Sequence, residues 1–137
     1  MQSCINEGVA CAYLQRCLAD ATHPLARAAV RDILTDEISH ARFGWTLLAS
    51  KWTPPQWRAA VSEALPTLLE RIADAWLGGG QTELLCAPDG HGTLSQDTLS
   101  RVVRAAFEEL ILPGFDETGI DSAPARDWLQ RRGGLLA

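Results

Sequence analysis

The longest predicted helix of the chain runs from Pro24 to about Trp52 without a breaker. Glu37 and His40 lie in its middle, where they interrupt an apolar stripe. That stripe recurs at helical spacing and consists of Leu25, Ala29, Ile33, Leu34, Ala41, Leu48 and Trp52. Because a long helix with an apolar stripe needs other helices to cover it, the segment favours an all-α protein.

Glu37 and His40 belong to the stretch Asp36-Glu37-Ile38-Ser39-His40 and are three residues apart. On a helix, this separation leaves two side chains about 60° apart around the axis and one turn apart along it. A carboxylate and an imidazole can then reach the same point, and such oxygen and nitrogen ligands suit iron or manganese. The alternative reading is a solvated Glu37 beside a hydrogen-bonded core His40, and it is the favoured one for an isolated pair.

A third candidate ligand, Glu7, lies on the preceding predicted helix, which runs from about Ser3 to Asp20. His23 and Pro24 provide a turn, since proline is favoured at the first position of a helix. In an antiparallel hairpin Glu7 and the Glu37–His40 pair both lie about 22 Å from that turn. Metal ligation would explain a carboxylate on an apolar helix face, where an unpaired one is costly.

The segment from Ser3 to Trp45 carries a resemblance to a known family. It contains Ser-Cys-Ile-Asn-Glu-Gly-Val-Ala, the His23-Pro24 turn, and Thr-Asp-Glu-Ile-Ser-His-Ala-Arg-Phe-Gly-Trp. It resembles the second half of a ferritin-like di-iron domain, a four-helix bundle in which two helices each supply a Glu and two each supply Glu-x-x-His. On this resemblance Glu7 is the ligand of the third helix, and Glu37 with His40 is the pair of the fourth.

The resemblance also implies a role for Asp36 and a chemistry for the protein. Asp36 matches the aspartate that often precedes the pair and hydrogen-bonds a ligand histidine from outside the metal sphere. The implied cofactor is a di-iron centre, with manganese as the alternative. The implied function is an oxidoreductase that activates dioxygen or peroxide or oxidises ferrous iron, although no catalytic acid or base can be named.

Only half of such a site is encoded, since the chain has no second Glu-x-x-His. Two explanations stay open: a symmetric homodimer that doubles the half-site, or a missing N-terminal half. Two other functions also stay open. The chain is then either an iron storage or handling protein, or a metal-free helical module with a structural or interaction role.

Beyond the hairpin, the sequence predicts further helices around the same core. Residues 1–77 are expected to form the ferritin-like hairpin plus a following helix, residues 78–95 a glycine-rich loop, and residues 96–137 the C-terminal helices. Pro66 should kink or split the helix that follows the hairpin. Pro113-Gly114 should end the helix that begins near Gln96.

The tryptophans, histidines and cysteines have simple expected roles. Four tryptophans should form an aromatic core that the C-terminal helices cover: Trp45, Trp52, Trp57 and Trp76. His23 and His91 read as solvated loop residues. The four cysteines form no C-x-x-C pair, so they indicate neither a zinc ribbon nor a rubredoxin-type centre and are expected to be free.

Charge and hydropathy limit the kinds of partner and the cellular compartment that are expected for the chain. The formal net charge is −5, and the twelve basic residues are scattered along the chain, so nucleic acid is not expected as a partner. No apolar run approaches the roughly 20 residues of a membrane span, and the N-terminus does not read as a signal peptide. A cytoplasmic protein without a membrane partner is therefore predicted.

Overall fold

The computed structural model describes residues 2–78 and 90–132, and all regular structure within them is helical. The elements are α1 (Gln2–Asp20), α2 (Pro24–Ala49), α3 (Pro55–Leu77), α4 (Gln96–Ala105), a π-helix segment (Ala106–Ile111), α5 (Leu112–Glu117) and α6 (Ala123–Arg131). This confirms the predicted all-α fold, a helical hairpin followed by additional helices. In the described parts of the chain, no helix is both long enough and apolar enough to cross a membrane.

The turn between α1 and α2 is fixed from both sides. Pro24 occupies the start of α2, and His23 precedes it as the N-cap residue. The Arg27 guanidinium donates hydrogen bonds of 2.9 Å to the carbonyl oxygens of Leu18 and Ala21, which closes the end of α1. The Gly90 carbonyl accepts hydrogen bonds from two backbone N–H groups of the turn, at 2.9 Å each. These bonds set the register of the hairpin.

The two hairpin helices approach each other closely at Gly44 and Cys4. A Cβ atom on Gly44 would lie 2.7 Å from the Cys4 sulfur and 3.5 Å from the Cys4 backbone nitrogen. Since real side chains do not reach such distances without movement, only glycine fits there. Gly44 and Cys4 are both buried, so this contact is part of the packed hairpin.

The rest of the core lies where α1 meets the later helices. α3, α4 and the π-helix segment contact α1, and α6 packs on α3. The largest side chains that are completely buried come from α1, α3, the π-helix segment and α5: Ile5, Leu65, Leu69, Phe107, Ile111, Leu112 and Phe115. The C-terminal helices thus share one core with the hairpin.

α3 is not split at Pro66, so a kink there stays a prediction, and the predicted helix end at Pro113-Gly114 is wrong. α3 continues through Pro66, and α5 extends past Pro113-Gly114 to Glu117. In each case buried apolar residues flank the proline, with Leu65 and Leu69 around Pro66. The burial outweighs the one backbone hydrogen bond that proline removes, because packing contributes most of the stability of helices in proteins.

The expected aromatic core is wrong for two of its four members. Trp52 is 79% exposed and Trp57 is 65% exposed. Trp45 and Trp76 are half-buried and pack on Phe115 and Tyr13, with ring centroids 5.1 Å and 5.4 Å apart respectively. α2 also ends at Ala49 and not near Trp52, so Trp52 lies outside the helix on which its burial was predicted.

The predicted stripe of α2 is likewise only partly covered. Leu34 and Leu48 are buried, whereas Leu25 and Ile33 are exposed. α1 is the main packing partner of α2, so burial is concentrated on the side of α2 that faces α1. Most of the predicted glycine-rich loop, together with Cys86, falls in residues 79–89, outside the described residues. Cys4, Cys11 and Cys17 are free and buried.

We expect Gly44→Ala to destabilise the protein by about 1–3 kcal/mol, because the added methyl group overpacks the contact with Cys4. Urea unfolding measures this change. Gly8→Ala is the matched control: its Cβ would lie 3.2 Å from Cγ1 and 3.4 Å from Cδ1 of Ile111, a milder contact than that at Gly44, so its effect should stay below about 1 kcal/mol. The cost of Gly44→Ala should shrink in a Cys4→Ala background, and an unchanged cost would contradict the proposed contact.

Candidate metal centre

The hairpin brings the carboxyl group of Glu7 on α1 within hydrogen-bonding reach of the Glu37 carboxyl group on α2. This is the height at which counting residues from the turn places them. Glu37 also faces His40, whose Nδ1 lies 3.3 Å from the Glu37 Oε2. Glu37 is therefore the central group of the three predicted ligands and touches both others.

The three groups differ in their access to solvent. The side chain of Glu37 is 25% exposed and that of His40 is 65% exposed. The reading of His40 as a buried core histidine is therefore wrong. With Nδ1 turned toward Glu37, the Nε2 atom is the nitrogen of His40 that remains for an external ligand.

The contact between the two carboxyl groups shifts their pKa values in opposite directions. Burial raises the pKa of Glu7, and the hydrogen bond with Glu37 and the charge of Glu37 raise it further. The hydrogen bond from Glu7 lowers the pKa of Glu37, and the contact with His40 also lowers it. The opposite shifts favour Glu7 over Glu37 as the carboxyl group that keeps a proton, as is usual when two carboxyl groups share a site.

A fourth residue, Cys11, lies against the same pair, and sequence reasoning did not assign it to the site. Burial raises the pKa of its thiol, and the charges of Glu37 and Glu7 raise it further. The thiol therefore stays protonated and is a poor metal ligand, because metals bind the thiolate form. Its position one helical turn after Glu7 was the available signal.

Asp36 is exposed, and the carboxylate oxygen that faces Nδ1 of His40 belongs to Glu37. The role of Asp36 as the residue that orients His40 stays a prediction. The other two histidines, His23 and His91, are exposed and lie next to each other at the turn, with ring centroids 5.8 Å apart in an edge contact. The sequence did not predict that contact.

The three predicted ligands do not form a complete metal-holding group. Over residues 2–78 and 90–132, no group of three or more His, Cys, Asp or Glu side chains is placed to hold a metal ion. In this arrangement the carboxyl groups of Glu7 and Glu37 face each other and do not face a shared position where a metal ion could lie. The hairpin therefore presents a cluster of potential donors that needs further ligands, or a rearrangement, before it can enclose an ion.

His40 lies on an exposed apolar surface of α2. Ile33, Phe43 and Leu47 are seven residues before, three after and seven after it, so all four side chains share one side of the helix. These three apolar residues, which we call the α2 apolar face, are each at least half exposed, with Phe43 the most exposed at 73%. Large apolar side chains around a potential ligand are typical of a surface that another chain or domain covers.

Comparisons of the chain with protein-family models, with curated proteins and with solved structures find no match. The case for a function therefore rests on the residues and on the geometry described above.

We expect Glu7→Gln to raise the stability of the protein at about pH 7. Because its pKa is raised in the folded state, Glu7 stabilises the fold at low pH and loses that contribution as the pH rises through its folded pKa. A glutamine stays neutral and can still donate to Glu37. The gain should vanish near about pH 3, where Glu7 is protonated in both states.

Thermal or urea unfolding at the two pH values measures this effect. Glu63→Gln, which neutralises an exposed carboxylate on α3, is the control and should show no such dependence on pH. A loss of stability in Glu7→Gln at neutral pH would show that the charge of Glu7 stabilises the fold and would contradict the shared-proton arrangement.

Proposed function

We propose that the chain supplies one half of a ferritin-like di-metal site and acts as an oxidoreductase, with iron as the metal and manganese as the alternative. The observation that carries the proposal is the contact of Glu7 and Glu37 across the hairpin with His40 next to Glu37. A purely structural hairpin has no need of two carboxyl groups in contact, since one of them must then keep a proton to avoid repulsion.

The donor chemistry fits this kind of metal site. Two carboxyl groups and one imidazole are the half-set that a di-iron carboxylate bundle takes from one pair of helices. The protonated thiol of Cys11 offers no competing soft ligand, which favours a metal that prefers oxygen and nitrogen. A bound cation would displace the proton of Glu7 and remove the repulsion between the carboxylates.

The residues of this chain have separate tasks in such a site. Glu7 and Glu37 would hold the metal, and His40 would bind it through Nε2 while Glu37 or Asp36 orients its ring. A di-iron centre supplies redox chemistry with dioxygen, with peroxide or with ferrous iron as a substrate.

The missing ligands must come from outside the described helices. One source is a second copy of the chain, whose Glu7, Glu37 and His40 would face those of the first across a two-fold axis. The other source is a second helix pair from a preceding half. Either would cover the α2 apolar face and remove its large exposed side chains from water.

A metal-free interaction module is the second candidate function. It is favoured by the lack of any group of three ligands placed to hold a metal among the residues described. The same α2 apolar face would then bind another helical protein, and Glu7 and Glu37 would be a tolerated acid pair. Binding of ferrous iron separates the two candidates.

Anaerobic titration with ferrous iron should show binding that Glu37→Ala and His40→Ala abolish. Exposure of the loaded protein to air should then give a change in absorbance that the two variants lack. His23→Ala and Glu63→Ala are matched controls, since they remove an exposed histidine and an exposed carboxylate elsewhere. Equal binding by all four variants, or no binding by the parent protein, would contradict the metal site.

If a second copy completes the site, Phe43→Asp should reduce dimerisation and metal binding together. The aspartate places a charge in the middle of the α2 apolar face, where the partner would have to desolvate it. Sedimentation velocity gives the oligomeric state, and Trp57→Asp tests an exposed aromatic residue of α3 as the control. A dimer that persists in Phe43→Asp would place the two-fold contact on another surface.

A further inference from the structure

A groove separate from the carboxyl pair opens where α1, α2 and the π-helix segment meet. It has a volume of about 360 Å³, within the range of small-molecule sites. Residues of all three elements line it, among them Gly8, Cys11, Ile38, Arg42, Trp45 and Leu110. Its walls are mainly apolar.

Arg42 is the one charged side chain among the residues that line this groove. It is exposed, and it forms no ion pair with any residue in the described ranges. Several other arginines form ion pairs, for example Arg126 with Asp116 at 2.7 Å. An unpaired guanidinium at the edge of an apolar groove is a ready partner for a carboxylate, which it can bind through two parallel hydrogen bonds.

We propose that this groove binds a small amphipathic carboxylate. The carboxylate pairs with Arg42, and the apolar body lies against Ile38, Trp45 and Leu110. The volume admits a ligand with an alkyl chain or a single aromatic ring. This site goes beyond the proposed metal chemistry, since it requires neither a bound metal nor a second copy of the chain.

The neighbouring surface favours one orientation of the ligand. A second cavity of about 500 Å³ continues from the groove and shares Trp45, Thr46 and Leu110 with it. That cavity also contains two carboxylates, Glu109 and Glu117. Their negative charge repels an anionic head group, so the carboxylate of the ligand is held at the Arg42 end.

The groove also lies directly behind the candidate metal ligands. Cys11 lines the groove and, on α1, adjoins Glu7 and Glu37 closely enough for their charges to act on its thiol. The inner end of a bound ligand would therefore be one side chain away from the carboxyl pair. This relation makes the groove a candidate substrate site, but binding itself is testable on metal-free protein.

Octanoate, octanol and octylamine are suitable probes, because they share one alkyl chain and differ in the charge of the head group. Titrations of the metal-free, ¹⁵N-labelled full chain should show octanoate shifting the Gly8 amide and the Trp45 indole, with a dissociation constant on the order of 1 mM. Octanol should bind more weakly and octylamine most weakly, since it meets Arg42 with a like charge.

Arg42→Gln should weaken octanoate binding about three- to tenfold and leave octanol binding unchanged. Arg31→Gln removes the same charge from an exposed position on α2 outside the groove, and should have no effect. Ile38→Trp should block both octanoate and octanol, because its larger ring fills the groove. These three variants alter exposed positions and should fold.

Three outcomes would overturn the proposal. Equal affinities for octanoate and octanol would contradict the role of Arg42. An equal loss of octanoate affinity in Arg31→Gln and Arg42→Gln would contradict it as well. The lack of any shift at Gly8 and Trp45 would remove the site. Since every titration uses protein without metal, failure here leaves the metal-site proposal standing, and failure of iron binding leaves the groove standing.

Discussion

The close packing of α1 on α2 is the constraint on which the candidate site depends. Arg27 and the Gly90 carbonyl hold the turn, and the Gly44–Cys4 contact holds the helices together at their far ends. With both ends fixed, residues at equal distance from the turn face each other. The Glu7–Glu37 contact therefore follows from the register of the hairpin, and a slip of one residue would separate the two carboxyl groups.

The contact between the Glu7 and Glu37 carboxyl groups reduces the stability of the fold unless another interaction, such as ligand binding, offsets it. A carboxyl group that holds its proton above its ordinary pKa, beside another acid, reduces stability at neutral pH. Proteins accept such costs chiefly at functional sites, where strain and unusual ionisation serve binding or catalysis. The unpaired Arg42 and the exposed α2 apolar face are two further features that the isolated chain leaves unsatisfied.

Counting residues from the His23-Pro24 turn was enough to predict the hairpin and its three aligned side chains, because helical rise is nearly constant. Other features depend on contacts far apart in sequence. Burial of Leu112 and Phe115 carries the chain through Pro113, and no local pattern indicates it. The exposure of Trp52, and the groove in which Arg42 meets Leu110, likewise depend on how separate helices pack.

We propose that Glu7, Glu37 and His40 hold a metal. Of the two sources of the missing ligands, a second copy of the chain is the one that can be tested directly. Native mass spectrometry of protein from cells grown with iron reports subunit number and bound metal in one spectrum. A dimer that carries two metal ions is the predicted result. A metal-free monomer would contradict a site that two copies of this chain complete.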